Sequence, residues 1–301
     1  MFTAIANAFR VPELRKKILF MLMIVVVYRF GAHIPVPGVD VSILEQTVSA
    51  NAALGMLNLF TGGALSNFAI FALGVMPYIT SSIIMQLLQA AIPALERLAK
   101  EGESGQRKIT QYTRYLTVFI AFIEAIGMLF IFRQSITITA VPTWLVSTMV
   151  VVSLVAGTAL IMWLAELITQ RGIGNGMSIL IFASIVARFP TALVSSFTEG
   201  NIFVTLAILI AIIIVIAVVI YIDRGQRRIP VQYAKRVVGR RVYGGSGTYI
   251  PLKVNGANVV PIIFASAILS MPSQLAAAFP QVGWLQAIAV SLQPSSWINW
   301  V

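Results

Sequence analysis

Residues 202–222 read IFVTLAILIAIIIVIAVVIYI, a run of 21 residues without a single charge. A helix needs about 20 predominantly apolar residues to cross the hydrocarbon core of a membrane, so this run predicts a membrane-spanning helix. The rest of the chain has the same character, since 58% of its 301 residues are hydrophobic and only 10% are charged. An ordinary soluble domain carries about 25% charged residues. The composition excludes a soluble globular enzyme and a disordered chain, and it predicts an integral membrane protein.

The chain contains seven apolar segments of this kind. They cover residues 18–34, 68–92, 116–132, 144–168, 177–193, 202–222 and 259–279. Each segment is expected to be helical, because backbone groups in lipid must form their hydrogen bonds within the protein. The predicted fold class is therefore an all-α polytopic membrane protein, with an N-terminal half at 1–193 and the start of a C-terminal half at 194–301.

The distribution of basic residues predicts the orientation. Of the 21 lysines and arginines, 18 lie before the first span or in alternate loops on the same side. Only Arg29, Arg133 and Arg188 lie on the other side. Cytoplasmic loops of membrane proteins carry an excess of Lys and Arg, so the N-terminus is expected in the cytoplasm. Seven crossings then place residues 280–301 outside as an external tail.

The external stretch between the first two spans admits two interpretations. Its second half, LGMLNLFTGGALSN at 54–67, has apolar residues near helical spacing but is too short to span, and Gly62 and Gly63 would end a helix. One interpretation is an amphipathic helix lying on the outer surface. The other is a half-helix that enters the protein, which is permitted only where protein or a cavity surrounds it. The residues alone favour the first.

Spans two and seven share the pattern P-x-I-x-x-S-x-I, with Pro77 matching Pro261. Proline-interrupted spans at corresponding places in two halves point to the working site of inverted-repeat membrane proteins. If spans two and seven correspond, five spans separate equivalent positions, so each repeat contains five helices. This logic leaves a small-solute transporter as an alternative function, but a transporter should present paired polar ligands at mid-membrane.

The loop at 223–254 is longer than its topology requires. It carries eight basic residues, and residues 229–233 and 248–254 read as extended strips on either side of a glycine-rich turn. A projecting, β-hairpin-like basic loop of this kind fits docking of an anionic partner such as RNA or an acidic protein surface. The competing interpretation is an ordinary cytoplasmic excess of positive charge.

The chain offers few of the residues that catalysis or metal binding requires. Cysteine is absent and His33 is the sole histidine, which leaves no thiolate metal site, disulfide or histidine-based triad. No paired carboxylates or nucleophile–base set is apparent. The chain is therefore not expected to be an enzyme or to need a cofactor or a metal, and a membrane-embedded enzyme is the least favoured alternative.

Several long motifs resemble one family. They are FRVPELRKK at 9–17, YRFGAHIPVPGVD at 28–40, LFTGGALSNFAIFALGVMPYITSSIIMQLL at 59–88, KEGESGQRKITQYTRY at 100–115, TQRGIGNG at 169–176 and DRGQRRIPVQYAKR at 223–236. In this order they resemble the bacterial SecY family of protein-conducting channels. The resemblance implies ten spans in two halves of five around an hourglass pore, of which this chain would hold seven.

The resemblance also implies roles for individual residues, and it reverses the preference for a surface helix. The implied plug, a short re-entrant helix that seals the pore from outside, consists of Gly55, Met56, Leu57, Asn58, Leu59, Phe60, Thr61, Gly62, Gly63, Ala64, Leu65, Ser66 and Asn67. The implied apolar pore ring consists of Val75, Ile79, Met177, Ile181 and Ile263. Val75 and Met177 replace the family's usual isoleucine. Residues four apart share one helix face, so both pairs can point toward one axis.

The lateral gate between spans two and seven would include Thr80, Gln86 and Met271. The basic loop would be the docking arm, with Arg227, Arg228, Lys235, Arg236, Arg240 and Arg241 as its contacts. The implied partners are SecE and SecG, the motor SecA, the ribosome, signal sequences, nascent polypeptides and lipid. The implied location is the bacterial cytoplasmic membrane.

Overall fold

The computed structural model describes residues 11–37, 39, 44, 48, 52–132, 142–199, 202–231, 236–238, 241–243, 248–256, 265, 276 and 282–291. The chain divides by its contacts into two units, one formed by residues 1–190 and 264–301 and the other by residues 191–263. The predicted division between 193 and 194 into two halves of a larger repeat stays a prediction.

The first unit is mainly helical in the residues that the structure describes. Its helices are α1 (Pro12–Gly31), α2 (Ala52–Phe60), α3 (Met76–Ala91), α4 (Pro93–Lys100), α5 (Glu103–Ile131), α6 (Thr143–Arg171) and α7 (Gly176–Glu199), with α9 (Gly283–Ser291) near the end of the chain. Helix α7 continues past the unit boundary and contains Pro190. The short α9 lies in the predicted external tail.

Among the described residues, α5, α6, α7 and α8 (Ile202–Arg224) are long and apolar enough to cross a membrane. The bent pair α3 and α4 makes a fifth candidate if it counts as one span. The predicted second to sixth spans therefore have helical counterparts, and the predicted all-α membrane class is confirmed. Helix α1 covers most of the predicted first span, whereas the predicted seventh span lies almost entirely outside the described residues.

The second span differs from its prediction at both ends. Its helix begins at Met76 rather than at 68, because residues 61–75 form a series of turns with positive φ at Gly62, Gly63 and Gly74. Pro77 then occupies the first helical turn, where a missing N–H does no harm. At the other end Ile92 is extended before Pro93, as proline requires of its predecessor, and the helix axis bends by 102° into α4.

Helices α5 and α6 pack through stripes of buried residues at helical spacing. The α5 stripe includes Ala121, Ala125 and Met128, and the α6 stripe includes Val150 and Leu154. Small residues such as alanine let two helix backbones approach closely, which favours association where lipid offers no hydrophobic driving force. At one end of this interface Arg114 Nε donates to Glu166 Oε1 at 2.7 Å, so an ion pair joins the two helices.

Gly157 of α6 lies against the turn segment 61–75. A Cβ atom built on this glycine would stand 2.0 Å from the backbone oxygen of Ile70. Backbone cannot swing away as the end of a flexible side chain can, so only glycine fits here. Glycine at this position therefore lets the turn segment lie directly against a membrane helix.

The second unit joins α8 to a β-structure. Strand β1 (Gln226–Val231) pairs antiparallel with β4 (Thr248–Lys253), in a register that sets Ile229 opposite Ile250. The shorter strands β2 (Arg236–Val238) and β3 (Arg241–Tyr243) pair with each other. The predicted extended strips are confirmed as strands over residues 229–231 and 248–253, and the basic loop is a β-hairpin-like projection that starts two residues after α8 ends.

We predict that Gly157→Ala destabilises the protein in detergent. Alanine favours a helix interior by about 1 kcal/mol over glycine, but forcing an atom onto a buried backbone oxygen costs about 1–3 kcal/mol or more. Gly127→Ala in α5 is the matched control, because its Cβ would meet nothing within 4 Å. Thermal unfolding followed by size-exclusion chromatography should show a lower Tm for Gly157→Ala alone. Equal Tm values for the two variants would contradict the packing described here.

Candidate functional site

An apolar cluster forms where helices α3 and α7 begin. Val75 is 2% exposed and Met177 is 9% exposed, and both belong to one buried cluster with Leu180. Ile79 and Ile181 are partly buried and pack against the same cluster. Four of the five predicted ring residues therefore share one apolar environment, and the fifth, Ile263, lies outside the described residues.

Local hydrogen bonds fix the start of each helix that contributes to this cluster. Val75 precedes α3, but its carbonyl accepts from the Ile79 N–H at 3.1 Å, so the pair keeps helical spacing. At α7, the Asn175 side-chain oxygen accepts from the Met177 N–H at 3.0 Å and the Ser178 N–H at 3.3 Å. An asparagine in this position satisfies the free donors of a helix N-terminus. The orientation of the first turn is thereby set for Met177.

The predicted plug segment begins with helix α2 and continues into the turns. Leu54, Asn58, Thr61 and Leu65 are buried, at spacings of three to four residues, whereas Leu59 is 52% exposed. Leu54 and Leu65 join the core formed with α5 and α6. A helix on the outer surface would turn these side chains toward lipid, so the structure favours the half-helix interpretation.

Two polar side chains in this segment are satisfied internally. Asn58 bonds Ser66 twice, since its side-chain oxygen accepts from the Ser66 N–H at 3.1 Å and its amide donates to Ser66 Oγ. Thr61 Oγ1 donates to the Asn58 carbonyl at 3.3 Å. Buried polar groups that find partners within one segment fold that segment back on itself. The plug segment is thus a compact helix–turn unit.

The plug segment and the ring cluster are directly connected. Ala64 of the segment is fully buried within the same cluster as Val75 and Met177. The cluster also contains residues of α1 and α6, namely Ile24, Tyr28, Ile161, Leu164, Ala165 and Ile168, together with Ala32, Ala69 and Phe71. The structure therefore brings the predicted ring and one end of the predicted plug together.

Polar contacts around the end of the plug segment were not anticipated. Arg29 Nη1 donates to the Gly62 carbonyl at 3.0 Å, and the Tyr28 hydroxyl lies 2.7 Å from Ser184 Oγ. The sequence could have drawn attention to Arg29, since it is one of three basic residues on the predicted outer side. It could not have predicted the bonding partner, because a backbone carbonyl 33 residues away leaves no trace in composition or spacing.

The predicted gate residues are only partly described. On α3, Thr80 is half-buried and Gln86 is exposed, while Met271 lies outside the described residues. Leu87, beside Gln86, is 54% exposed. The second half of α3 thus presents an uncovered face within the described part of the chain.

The predicted docking residues begin on β1. Arg227 and Arg228 are both exposed, and neighbouring residues of a strand point to opposite faces. The Arg228 guanidinium lies 4.6 Å from the centre of the Tyr249 ring, on the paired strand, in a cation–π contact. Arg236 and Arg241 fall in β2 and β3, while Lys235 and Arg240 lie outside the described residues.

A family model described as SecY matches residues 69–301. The protein translocase subunit SecY of Streptomyces scabiei is 51% identical over 290 residues, which covers 91% of this chain and 66% of the relative. The same subunit of Streptomyces coelicolor is 47% identical over 320 residues, covering all of this chain and 70% of that protein. The chain thus spans about two thirds of the length of these relatives.

Solved structures of similar fold cover 92% of this chain and 60% of their own. One is of a protein-conducting channel, with a TM-score of 0.62 and 20% identity. Another concerns the SecY plug domain, which stabilises the closed state of that translocation channel, with a TM-score of 0.59 and 21% identity. A third is Sec61 in the canine ribosome–channel complex, with a TM-score of 0.57 and 21% identity.

At this identity the solved structures establish the fold alone, and the family assignment comes from the sequence matches. The family model covers more than half of the chain, and the Streptomyces relatives align over nearly all of it. The predicted resemblance is therefore confirmed, and the chain belongs to the SecY family.

Proposed function

We propose that this chain forms the greater part of the central subunit of a protein-conducting channel. In this role it moves unfolded secretory polypeptides across the cytoplasmic membrane and releases apolar segments sideways into lipid. The observation that carries the proposal is the shared apolar cluster of Val75, Ile79, Met177 and Ile181 at the start of two membrane helices. A constriction lined by such side chains excludes water and ions when closed.

An apolar ring suits a polypeptide substrate better than a small polar solute. A solute transporter binds its substrate with polar or charged ligands near the middle of the membrane. The ring positions instead offer aliphatic and thioether side chains that form no specific hydrogen bonds. A passing chain of any sequence would meet a flexible collar that closes around it without holding it.

The plug role rests on the buried position of the plug segment beside this cluster. Ala64 packs within the ring cluster, while Leu54 and Leu65 pack into the core of α5 and α6. A segment that occupies protein interior at the ring would add a second barrier to the apolar constriction. The solved SecY neighbour whose plug domain stabilises its closed state supports this assignment by similarity of fold.

Lateral release would use α3 as one side of the gate, with Thr80 and Gln86 on it and Met271 on the opposing span. An apolar signal sequence gains free energy by leaving a polar path for lipid, at about 25 cal/mol per Å² of apolar surface. The uncovered second half of α3, where Leu87 is 54% exposed, provides a face for such a helix.

The basic hairpin would dock the machine that drives transport. Its exposed arginines match an anionic surface, whether ribosomal RNA or acidic residues of SecA. The Sec61 neighbour belongs to a ribosome–channel complex, which supports a ribosomal partner by analogy. SecE and SecG would complete the membrane complex, and the N-terminus would lie in the cytoplasm of a bacterium.

The ring assignment predicts a specific cross-linking pattern. The chain has no native cysteine, so a single cysteine at Ile79, Ile181 or Ile263 is the only thiol available. In vesicles holding a stalled secretory chain with one cysteine, each of these three should form a disulfide with that chain. The matched control is Ile213→Cys in α8, because Ile213 is 66% exposed and belongs to no described cluster. Cross-linking at Ile213 equal to that at the ring, or none at the ring, would refute the pore assignment.

The docking assignment predicts that charge reversal on β1 weakens partner binding. Arg227→Glu with Arg228→Glu should weaken ribosome or SecA binding about tenfold or more, since close charge pairs at interfaces contribute several kcal/mol and like charges repel. Arg240→Glu with Arg241→Glu should act in the same direction. Binding is measured by co-sedimentation of membranes with ribosomes or SecA at moderate salt.

The matched control for docking reverses two charges elsewhere on the predicted cytoplasmic side. Arg97 of α4 and Lys108 of α5 are both exposed, and Arg97→Glu with Lys108→Glu changes the net charge by the same amount. If all three pairs weaken binding equally, the hairpin contributes only through the net positive charge of the cytoplasmic side and is no specific docking site. If binding is unchanged in the hairpin variants, the docking assignment is wrong and the basic residues serve only to orient the protein in the membrane.

A further inference from the structure

The turn that ends the plug helix lies between two other helices. Gly62 and Gly63 have φ angles of 65° and 94°, a conformation that L side chains rarely adopt. The Gly63 N–H donates to the Asn58 carbonyl at 3.0 Å, which closes the carboxyl end of α2 in the usual manner of a glycine-terminated helix. The Gly62 carbonyl takes no part in this closure and can accept a bond from another element.

Arg29 of α1 forms a hydrogen bond with that carbonyl. Its Nη1 donates to the Gly62 oxygen at 3.0 Å, across 33 residues of sequence. The carboxyl end of a helix carries partial negative charge, so a guanidinium there gains from the helix dipole as well as from the hydrogen bond. Within the described residues, this bond is a polar link from α1 to the end of the plug helix.

The position of Arg29 is fixed by its neighbour in the chain. The Tyr28 side chain is fully buried and stacks on the Phe71 ring with 5.6 Å between ring centres. Its hydroxyl lies 2.7 Å from Ser184 Oγ, and Ser184 Oγ in turn donates to the Leu180 carbonyl, so the tyrosine is the donor. Tyr28 therefore ties the end of α1 to α7.

Helix α7 closes the other side of the turn. A Cβ atom on Gly62 would stand 2.7 Å from Arg29 Nη1 and 2.9 Å from the Ser184 backbone oxygen. A Cβ atom on Gly63 would stand 3.4 Å from Nε of Arg188. Both of the arginines that lie near this turn belong to the small set predicted on the outer side of the membrane, where most loops lack basic residues.

We propose that Arg29 acts as a latch: its bond to the Gly62 carbonyl holds the carboxyl end of the plug helix in the buried position seen here, which we call its seat. Tyr28 and Ser184 hold Arg29 in place by joining α1 to α7. The proposal rests on the plug role proposed above and adds the residue that positions the plug. A single charge-assisted hydrogen bond suits this task, because it stabilises the seated state and yet exchanges for water when the segment leaves.

The test measures how readily the plug segment leaves its seat. Leu65→Cys places a thiol at a position that is 0% exposed. Cysteine is smaller than leucine and leaves a cavity there, so every variant compared carries this same substitution. In intact vesicles, its labelling rate by a membrane-impermeant maleimide from the outer side reports on opening. With Arg29→Gln added, we expect labelling about tenfold faster, the change that follows loss of one charge-assisted hydrogen bond.

The control and a second variant separate the latch from general damage. Arg171→Gln removes an exposed arginine at the end of α6 and should leave the labelling rate unchanged. Gly62→Ala acts from the plug side of the same contact and should also speed labelling, since a Cβ meets Arg29 Nη1 at 2.7 Å. If both residues act through one bond, the double variant should label no faster than the faster single variant.

The outcomes distinguish the latch from the plug role itself. Unchanged labelling in Arg29→Gln would overturn the latch, whatever the channel does. Faster labelling in Gly62→Ala alone would not rescue it, because a side chain at a φ of 65° is strained and also meets the Ser184 backbone oxygen. Fully additive effects of the two substitutions would also overturn it, because the residues would then act independently. If the segment seals the channel, the same variants should also export more of a secreted reporter protein whose signal sequence is defective. Faster labelling with unchanged export of that reporter would uphold the latch and refute the idea that the segment seals the channel.

Discussion

The rest of the structure depends on where the non-helical segment 61–75 makes its backbone hydrogen bonds. Lipid offers no partner for an N–H or C=O group, so irregular backbone at membrane depth must be enclosed by protein. The segment meets this condition through long-range pairs, with Ile70 N–H donating to the Ile34 carbonyl at 3.0 Å and Val36 N–H to the Phe68 carbonyl at 2.9 Å. Its residues from Phe71 to Val75 are buried without interruption.

This enclosure explains why the residues proposed as ring, plug and latch lie together. The segment links the predicted plug helix to the start of α3, so the same enclosed backbone places both Ala64 and Val75 within the ring cluster. The contact of Gly157 with Ile70 on one side and the Arg29 bond on the other keep the segment in place.

The sequence predicts the features that depend on local pattern. The charge-free run at 202–222 predicts α8, and alternating β-branched residues near glycines predict β1 and β4. It misses the features that depend on distant partners, such as the ion pair of Arg114 with Glu166, 52 residues apart. The sequence pattern also places the start of α3 too early, because a run of apolar residues has the same composition whether it forms a helix or a buried series of turns. The residues alone left both a surface helix and a buried half-helix open at 54–67 and favoured the first, and the family resemblance reversed that preference.

The most direct test of the account is the ion conductance of the resting channel in a planar bilayer. Replacing Val75, Ile79, Met177 and Ile181 together by glycine should produce a steady ion leak. The apolar side chains that exclude water are then gone, and Ala64 of the plug segment loses the cluster against which it packs. Val75→Ile with Met177→Ile, which keeps the ring apolar, should remain tight. A tight resting channel in the glycine variant, with normal assembly, would contradict the claim that these residues form the barrier.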